Sequence, residues 1–347
     1  MKTVRVWFNH WFSTAYHIIN LLKNDEEIKF IVTGSNANIH CVYRAVCDEW
    51  ITEERFSNSD SYVDFCLEFC RKHKIEVFVP RLNMKTICMR LDEFSAIGVK
   101  VLVEKDYSVM SALGDKIKTY QLFAEYGIGH IPPYCVVNSL EDYTAAYSTL
   151  KTDDNRVCFK FAIDEGAVSF RVVDDNIEYK LTESLGAKIT YRDSVKALSM
   201  LGGFPKLLVM PYLSGTEVSV DCLPMPDGNH IVIPRFKSLN RSQEIRFEQE
   251  VIDVCCLFLD KFKLECPCNL QFKYEKGTLY LLEVNTRMSG GIQFSCAATG
   301  VNMPNMAVNR LLGIEKQVHF GNNNRKPRIV SFIETPVLLE QISENGS

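Results

Sequence analysis

The first hundred residues alternate short apolar runs of strand length with stretches in which apolar residues recur at helical spacing. Strands are predicted at 3–8, 28–33, 75–80 and 99–104, and helices at 14–22 and 62–73. Such alternation is typical of a mostly parallel sheet whose crossover helices cover its faces. We therefore predict an α/β domain over residues 1–107. Its first strand is not followed by Gly-x-Gly-x-x-Gly, so the sequence does not indicate a dinucleotide site.

From residue 108 onward the pattern changes to a body of helices and short strands. A helix is predicted to begin at Asp115-Lys116 and to end at Gly127. Short strands are predicted at 157–162, 169–173, 206–210, 217–223, 230–236, 270–274, 278–284 and 328–333. Helical spacing returns over 244–262. This organisation predicts a second, α+β domain at 108–315 and a C-terminal tail at 316–347.

Composition narrows the class of protein. The chain has 347 residues, of which 46% are apolar and 24% charged, so it has enough apolar material for a folded core. Its 39 basic and 43 acidic residues give a net charge of −4, which argues against a nucleic-acid partner. No apolar run approaches the roughly 18 residues that a membrane span requires. We expect a cytoplasmic protein that binds neither nucleic acid nor a membrane.

The 13 cysteines are predicted to be reduced thiols that serve as small buried apolar residues. The count is odd, and the chain shows no export signal. Only Cys266-Pro267-Cys268 has a spacing with metal potential, and no second close pair of Cys or His accompanies it. We therefore favour core filling over a zinc site.

A predicted hairpin near the C-terminus gathers oxygen donors. Strand alternation places Gln271 on one strand where it can lie beside Glu283 on the partner strand, with Asn285 on the same face as Glu283. Carboxylate and amide oxygens in small number suit Mg²⁺, which takes the rest of its shell from water and phosphates. Arg287 follows directly and can stabilise charge on a transferring phosphoryl group. A solvated polar hairpin is the alternative.

The run Glu283-Val284-Asn285-Thr286-Arg287, preceded by Asn269-Leu270-Gln271-Phe272, resembles the metal-binding signature of ATP-grasp enzymes. The variant is most similar to that of carbamoyl-phosphate synthetase and of carboxylate–amine ligases. The resemblance covers residues 1–315 and implies a Rossmann-like parallel-sheet domain before a two-part (α+β) ATP-grasp domain, whose lid lies at about 130–212.

The resemblance also implies roles for individual residues, in the order in which the family carries its motifs. Phosphate and nucleotide contacts fall on Lys116, Lys160, Gly166, Ser169, Met210, Pro211, Leu213 and Glu217. Metal ligands fall on Gln271, Glu283 and Asn285. Met210 stands near the position where the family often has a carboxylate. Two consequences stay open: a looser nucleotide selectivity, or recognition of adenine mainly by the backbone of Pro211 and Leu213.

Two basic residues lie on one face of another predicted strand. Arg235 and Lys237 are two residues apart in an apolar segment, which favours a clamp for a carboxylate or phosphate. The alternative is a solvated basic edge. With Arg287, they are the residues predicted to act on substrate.

The resemblance implies an ATP-dependent ligase. A carboxylate would be activated as an acyl phosphate and joined to an amine or similar nucleophile, with release of ADP and phosphate. ATP and Mg²⁺ are the expected cofactors, with Mn²⁺ as an alternative metal, and a homodimer stays open. A non-catalytic ATP-binding sensor or scaffold is the second hypothesis. An enzyme acting on bicarbonate ranks last, because the chain is too short for both halves of a carbamoyl-phosphate synthetase.

Overall fold

The computed structural model describes residues 1–153, 155–164, 166, 168–177, 186–238, 241–314, 320–321 and 324–339. The chain divides into two compact units. Unit 1 comprises Met1–Ser111, Val218–Leu270 and Asn285–Ser347, and unit 2 comprises Ala112–Glu217 and Gln271–Val284. The domain boundaries drawn from the sequence, and the lid at about 130–212, stay predictions.

The described strands, in chain order, are β1 (Lys2–Asn9), β2 (Ile28–Asn36), β3 (Glu49–Thr52), β4 (Val77–Val79), β5 (Lys100–Val101), β6 (Cys135–Val137), β7 (Val157–Phe161), β8 (Arg171–Val173), β9 (Lys188–Ile189), β10 (Leu207–Pro211), β11 (Glu217–Leu223), β12 (Ile231–Lys237), β13 (Gln243–Ile245), β14 (Cys268–Glu275), β15 (Thr278–Asn285) and β16 (Arg328–Val330). The described α-helices are α1 (Ala15–Lys23), α2 (Ser59–His73), α3 (Met84–Met89), α4 (Leu91–Ala96), α5 (Tyr107–Leu113), α6 (Lys116–Tyr126), α7 (Leu140–Leu150), α8 (Tyr191–Ser199), α9 (Gln249–Phe262), α10 (Ile292–Thr299) and α11 (Met303–Leu311). A 3₁₀ helix spans Val42–Val46.

The N-terminal sheet of unit 1 has the order β3-β2-β1-β4-β5, and each pair of neighbours is parallel. Alternate residues of β1 enter two different cores, so both faces of the sheet are covered. Phe8 lies in the core that contains α1, while Trp7 lies in the core that contains α2. The Trp7 ring stacks on Phe69 and Phe78 with centroids 4.2 Å away in both cases. The parallel α/β domain predicted from the sequence is confirmed.

A second sheet has the order β15-β14-β11-β12-β13-β16, and the chain passes from unit 1 into unit 2 within β14 and returns within β15. The helix predicted over 244–262 is wrong at its start, because α9 begins at Gln249. Residues 243–245 instead form β13, which is antiparallel to both β12 and β16. Pairing with strands distant in sequence decided the conformation of this segment, and the local apolar spacing did not.

Unit 2 contains a sheet with the order β6-β10-β7-β8-β9, antiparallel except between β8 and β9. Helix α6 begins where the sequence predicts, because the Asp115 side chain accepts hydrogen bonds from the backbone N–H groups of Ile117 and Lys118. It ends at Gly127, whose φ of 64° is left-handed. The capping therefore fixes Lys116 at the first position of the helix. Among the described residues, no helix has the length and apolar character to cross a membrane.

Candidate active site

Lys116 contacts two carboxylates, those of Asp164 and Glu283, which come from separate segments of unit 2. Its Nζ lies 2.6 Å from Asp164 Oδ1 and 3.7 Å from Glu283 Oε2. The Lys116 side chain is only 6% exposed and that of Asp164 only 9%. Burial opposes ionisation of Asp164, but hydrogen bonds donated by Lys116 and Ser169 outweigh it and lower the pKa of this carboxyl. The structure therefore brings together Lys116 and Glu283, which are 167 positions apart in the sequence, and adds Asp164, to which sequence reasoning gave no separate role.

Lys160 lies near the end of β7 and is buried. Its Nζ donates to the carbonyl oxygen of Leu282 at 2.8 Å, and it lies 5.9 Å from the centroid of the Tyr120 ring. Removal from water disfavours the charged ammonium and lowers the pKa of Lys160 to about 8, although Glu283 favours the charge. The site therefore holds a second cation that titrates close to physiological pH.

Ser169 connects the phosphate loop that the resemblance implies, residues 164–169, to the same charged group. Its Oγ and its backbone N–H both donate to Asp164 Oδ2, the latter at 3.1 Å, and its Oγ accepts from the N–H of Phe161. Gly166 adopts a left-handed φ of 68°, which favours glycine. Two further residues of the predicted loop, 165 and 167, lie outside the described residues. Asp164 thus contacts both a predicted phosphate lysine and the predicted phosphate loop.

A cavity of about 310 Å³ in unit 2 collects most of the predicted nucleotide and metal residues. The predicted residues that line it are Lys160, Met210, Pro211, Leu213, Glu217, Gln271 and Glu283. Residues to which the sequence assigned no individual role also line it, namely Cys158, Asp164, Phe170, Tyr212, Lys273 and Leu282. Of these, Lys273 had a detectable signal, because strand alternation places it on the same face as Gln271. Its Nζ lies 4.7 Å from the centroid of the Tyr212 ring.

The chain at the end of β10 and just after it lines this cavity through Pro211, Tyr212 and Leu213. Antiparallel pairing with β6 ends at Val209, whereas pairing with β7 continues to Pro211. The N–H of Tyr212 donates to the carbonyl oxygen of Arg156 at 2.7 Å, on the β7 side. The backbone groups of successive residues in a strand point to opposite edges. The carbonyl of Pro211 and the N–H of Leu213 are therefore expected to point away from β7, to the side on which β6 pairs with the earlier part of β10. These two groups, two residues apart, form an acceptor and donor pair.

A tight loop follows and leads into Glu217. The N–H and hydroxyl of Ser214 both donate to Glu275 Oε2, which holds the loop against β14. At Gly215 an added Cβ would lie 2.3 Å from the carbonyl oxygen of Tyr274, so only glycine allows this approach. Close contact between two backbones thus sets the position of Glu217.

The last predicted site residues belong to unit 1. Asn285 ends β15, and its Oδ1 accepts a 3.4 Å hydrogen bond from Arg287 Nη2. The Arg287 guanidinium also donates to the carbonyl of Met288 and lies 5.4 Å from the centroid of the Phe12 ring. Arg287 is half-buried, so part of its side chain stays accessible to solvent. The contacts with Asn285, Met288 and Phe12 fix its position.

Arg235 is buried in unit 1, whereas Lys237, two residues along β12, is exposed. The Arg235 guanidinium donates to Asp221 at 2.9 Å and to Gln243 at 2.5 Å. It also donates to the hydroxyls of Ser219 and Ser289. Arg235 thus forms a buried ion pair with Asp221 that joins β12 to β11, and its hydrogen bond to Gln243 adds β13. The role of Arg235 and Lys237 as a clamp on substrate stays a prediction.

Comparisons with known proteins agree with this fold. A family model described as ATP-grasp in the biosynthetic pathway with Ter operon matches residues 203–333. The carbamoyl phosphate synthase large chain of Clostridium acetobutylicum is 23% identical over 313 residues, covering 85% of this chain and 28% of that protein. The biotin carboxylase domain of Hydrogenobacter thermophilus 2-oxoglutarate carboxylase, solved with MgADP, ADP and bicarbonate, superposes with a TM-score of 0.68 at 14% identity, over 93% of this chain and 72% of that one. The chain is a member of the ATP-grasp superfamily.

A second solved structure shows the same fold. The L-amino acid ligase of Bacillus licheniformis superposes on this ATP-grasp protein with a TM-score of 0.65 at 13% identity, over 95% of this chain and 79% of that one. Likeness at 13–14% identity establishes the fold and leaves the role of each residue to the geometry of this chain. The chain spans little more than a quarter of the carbamoyl phosphate synthase relative.

The donor set in this ATP-grasp protein is chemically suited to Mg²⁺. Gln271 and Glu283 line one cavity and offer an amide and a carboxylate oxygen. Cys266 and Cys268, by contrast, are buried, and burial raises the pKa of both thiols well above the usual range. Within the described residues, no group of three or more His, Cys, Asp or Glu side chains is placed to hold a metal ion.

Proposed function

We propose that this ATP-grasp protein is an ATP-dependent ligase that activates a carboxylate as an acyl phosphate and joins it to an amine or similar nucleophile. The observation that carries the proposal is the charged group of unit 2. Lys116 lies beside Glu283, while Lys160 and Glu283 line one cavity together with the edge of β10. Two cations, a hard oxygen ligand and a backbone edge are what a magnesium nucleotide requires.

In this proposal the nucleotide binds in the cavity of unit 2, because Pro211 and Leu213 line it and offer a backbone carbonyl and a backbone N–H. The carbonyl of Pro211 would accept from the adenine amino group, and the N–H of Leu213 would donate to a ring nitrogen. Glu217 would accept from a ribose hydroxyl. Lys116 and Lys160 would bind phosphate oxygens as point charges, which tolerate a ligand that moves during reaction.

The chemistry proceeds in two displacements. A carboxylate oxygen of the acid attacks the γ-phosphorus, the bond to the β,γ-bridging oxygen breaks, and ADP leaves. The amine nitrogen then attacks the acyl carbon, phosphate leaves with the bonding electrons, and the nitrogen loses one proton. Mg²⁺ held by Gln271, Glu283 and Asn285 would neutralise charge on the phosphates when bound. Arg287 would stabilise the charge of the acyl phosphate.

The test is stimulated phosphate release. The full chain is incubated with Mg·ATP and a matrix of carboxylic acids and amines, and ADP and phosphate are measured against each component alone. We expect at least one pair to raise ADP formation well above the background. ATP binding without stimulated turnover by any pair would replace this proposal with the non-catalytic sensor.

A matched pair of variants assigns the turnover to this site. Glu283→Gln removes one negative charge from the proposed metal ligand and should lower kcat by roughly 100-fold or more, as loss of a transition-state contact does. Glu141→Gln makes the same change at an exposed position of α7 and should leave kcat unchanged. Undiminished turnover in Glu283→Gln would show that the metal assignment is wrong.

A further inference from the structure

Two arginines of unit 1 share one aromatic ring. The guanidinium carbon of Arg81 lies 5.3 Å from the centroid of the Phe12 ring, and that of Arg287 lies 5.4 Å from the same centroid. The two carbons are therefore at most about 11 Å apart, the sum of these two distances. Arg81, Phe12 and Arg287 are all half-buried, so the group has an accessible side. Sequence reasoning assigned a role to Arg287 but none to Arg81.

The fold explains why these residues meet. Strand β1 is central in the N-terminal sheet, with β2 on one side and β4 on the other, so successive connections leave in opposite directions. Ligands of open parallel sheets bind outside the carboxyl ends of the strands at such a switch point. Phe12 follows the carboxyl end of β1, and Arg81 follows the carboxyl end of β4. Both loops therefore border the crevice where this sheet is suited to hold a ligand.

Buried hydrogen bonds fix both loops. Asn9 is fully buried; its Oδ1 accepts from the N–H of Arg81 at 2.7 Å, and its Nδ2 donates to the Tyr62 hydroxyl at 2.6 Å. On the other side, the hydroxyl of Thr14 donates to the carbonyl of Gly290 at 2.8 Å. The loop after β1 is thus tied both to Arg81 and to the glycine turn that follows Arg287. Binding then costs little ordering of these backbones, which is how a preorganised site gains affinity.

We propose that Arg81 and Arg287 together recognise an acid that carries a second anionic group, a carboxylate or a phosphate. Guanidinium groups bind either anion in a bidentate manner. Arg287 takes the carboxylate that reacts, and Arg81, which contacts the same Phe12 ring, takes the second anion. The inference rests on the proposed function for the role of Arg287, and it adds the class of substrate. A short dianionic acid is long enough to contact two guanidinium groups at this separation.

The first test measures binding without turnover. Calorimetry of the full chain compares L-aspartate and O-phospho-L-serine with L-asparagine and L-serine, which keep the α-carboxylate but lack the second anionic group. Succinate is measured beside them as a dianionic acid. We expect L-aspartate or O-phospho-L-serine to bind roughly 10- to 100-fold more tightly than its counterpart without the second anion, the range for a charge-assisted contact. The aspartate and phosphoserine arms distinguish a second carboxylate from a phosphate. Equal or undetectable binding of the acids with and without the second anion would overturn the inference.

The second test assigns the preference to Arg81. Arg81→Gln should abolish the preference for the dianionic acid, and Arg81→Lys, which keeps the charge without the planar fork, should restore part of it. Arg44→Gln is the matched control, because Arg44 also stacks on an aromatic ring of unit 1, that of Trp50 at 5.7 Å, and lies outside this site. Thermal unfolding of each variant checks that it folds. If Arg81→Gln folds and retains the full preference, the inference is wrong.

The two proposals fail separately. Equal turnover of acids with and without the second anion, with an unchanged KM in Arg81→Gln, would overturn the inference and leave the ligase proposal in place. Binding of a dianionic acid that depends on Arg81, with no stimulated turnover from any pair, would support the inference and reject the ligase. A rise in KM for the dianionic acid of roughly 10-fold or more in Arg81→Gln, with kcat little changed, supports both.

Discussion

Lys116 and Asp164 form an ion pair in which Nζ lies 2.6 Å from Oδ1, with both side chains more than nine-tenths buried. Asp164 also accepts from the hydroxyl and N–H of Ser169. One carboxylate therefore holds a lysine and a loop residue that the sequence assigns to phosphate. A nucleotide phosphate that binds Lys116 has to compete with this carboxylate.

Asp164→Asn should therefore tighten nucleotide binding. The substitution keeps the size and an acceptor oxygen but removes the negative charge that competes with phosphate for Lys116. We expect the Kd for Mg·ADP to fall by roughly three- to tenfold, about 0.7 to 1.4 kcal/mol. Calorimetry on the wild type and the variant checks this. A weaker affinity would instead show that Asp164 mainly organises the Ser169 loop for phosphate.

Nucleotide affinity should depend on pH through Lys160. Its pKa in the folded protein is about 8, and a bound phosphate, being an anion, raises it. Affinity should therefore be constant below pH 8 and fall above it, by up to tenfold per pH unit until the pKa of the complex is reached. Titration of ADP binding between pH 7 and pH 9.5 measures this profile.

The control for the pH profile is Lys160→Arg, which keeps a positive charge over the whole range. Its affinity should be flat between pH 7 and pH 9.5. A falling profile in both proteins would assign the titration to another group, and a flat profile in the wild type would remove Lys160 from the phosphate site.

Gly215→Ala should destabilise the protein and weaken nucleotide binding. Its Cβ would lie 2.3 Å from the carbonyl oxygen of Tyr274, so the loop that leads to Glu217 must move away from β14. We expect a loss of about 1–3 kcal/mol in the free energy of unfolding, the usual range for overpacking. Gly202→Ala is the control, since an added Cβ there has no neighbour within 4 Å among the described residues. Urea unfolding of both variants should separate them clearly.

The ion pair between Arg235 and Asp221 should contribute to stability. Both side chains are almost fully buried, and Asp221 also accepts from Asn269 and Ser295. Asp221→Asn leaves the guanidinium charge buried without its anion, which should cost about 3–5 kcal/mol in the free energy of unfolding. The double variant with Arg235→Gln should cost less than the sum of the single ones, because neither charge is left alone.

The same variants test the predicted clamp. Arg235 acts on substrate if Arg235→Gln abolishes turnover but lowers the free energy of unfolding by less than about 1 kcal/mol. That loss would be below the range for a broken buried ion pair. Loss of stability in proportion to the loss of turnover would assign it to the core of unit 1 instead.

Much of the fold could be predicted from the sequence because its signals are local. The alternation of apolar runs predicts the mostly parallel sheet that contains β1, β2 and β4, and Asp115-Lys116 predicts the start of α6. Strand β13 could not be predicted, since Gln243–Ile245 is extended only because β12 and β16 flank it. Its neighbours are distant in the chain, and no local pattern encodes them.

The sequence by itself determined which side chains this protein can offer to a nucleotide. Gln271, Glu283 and Lys160 are recognisable from motif order, and one hairpin brings the first two together over a short turn. The tertiary structure alone decided their partners. The ion pair of Asp164 with Lys116 and the shared contact of Arg81 and Arg287 with the Phe12 ring join segments that only packing brings together. Such contacts depend on how whole elements fold against each other, and periodicity within one segment carries no information about them.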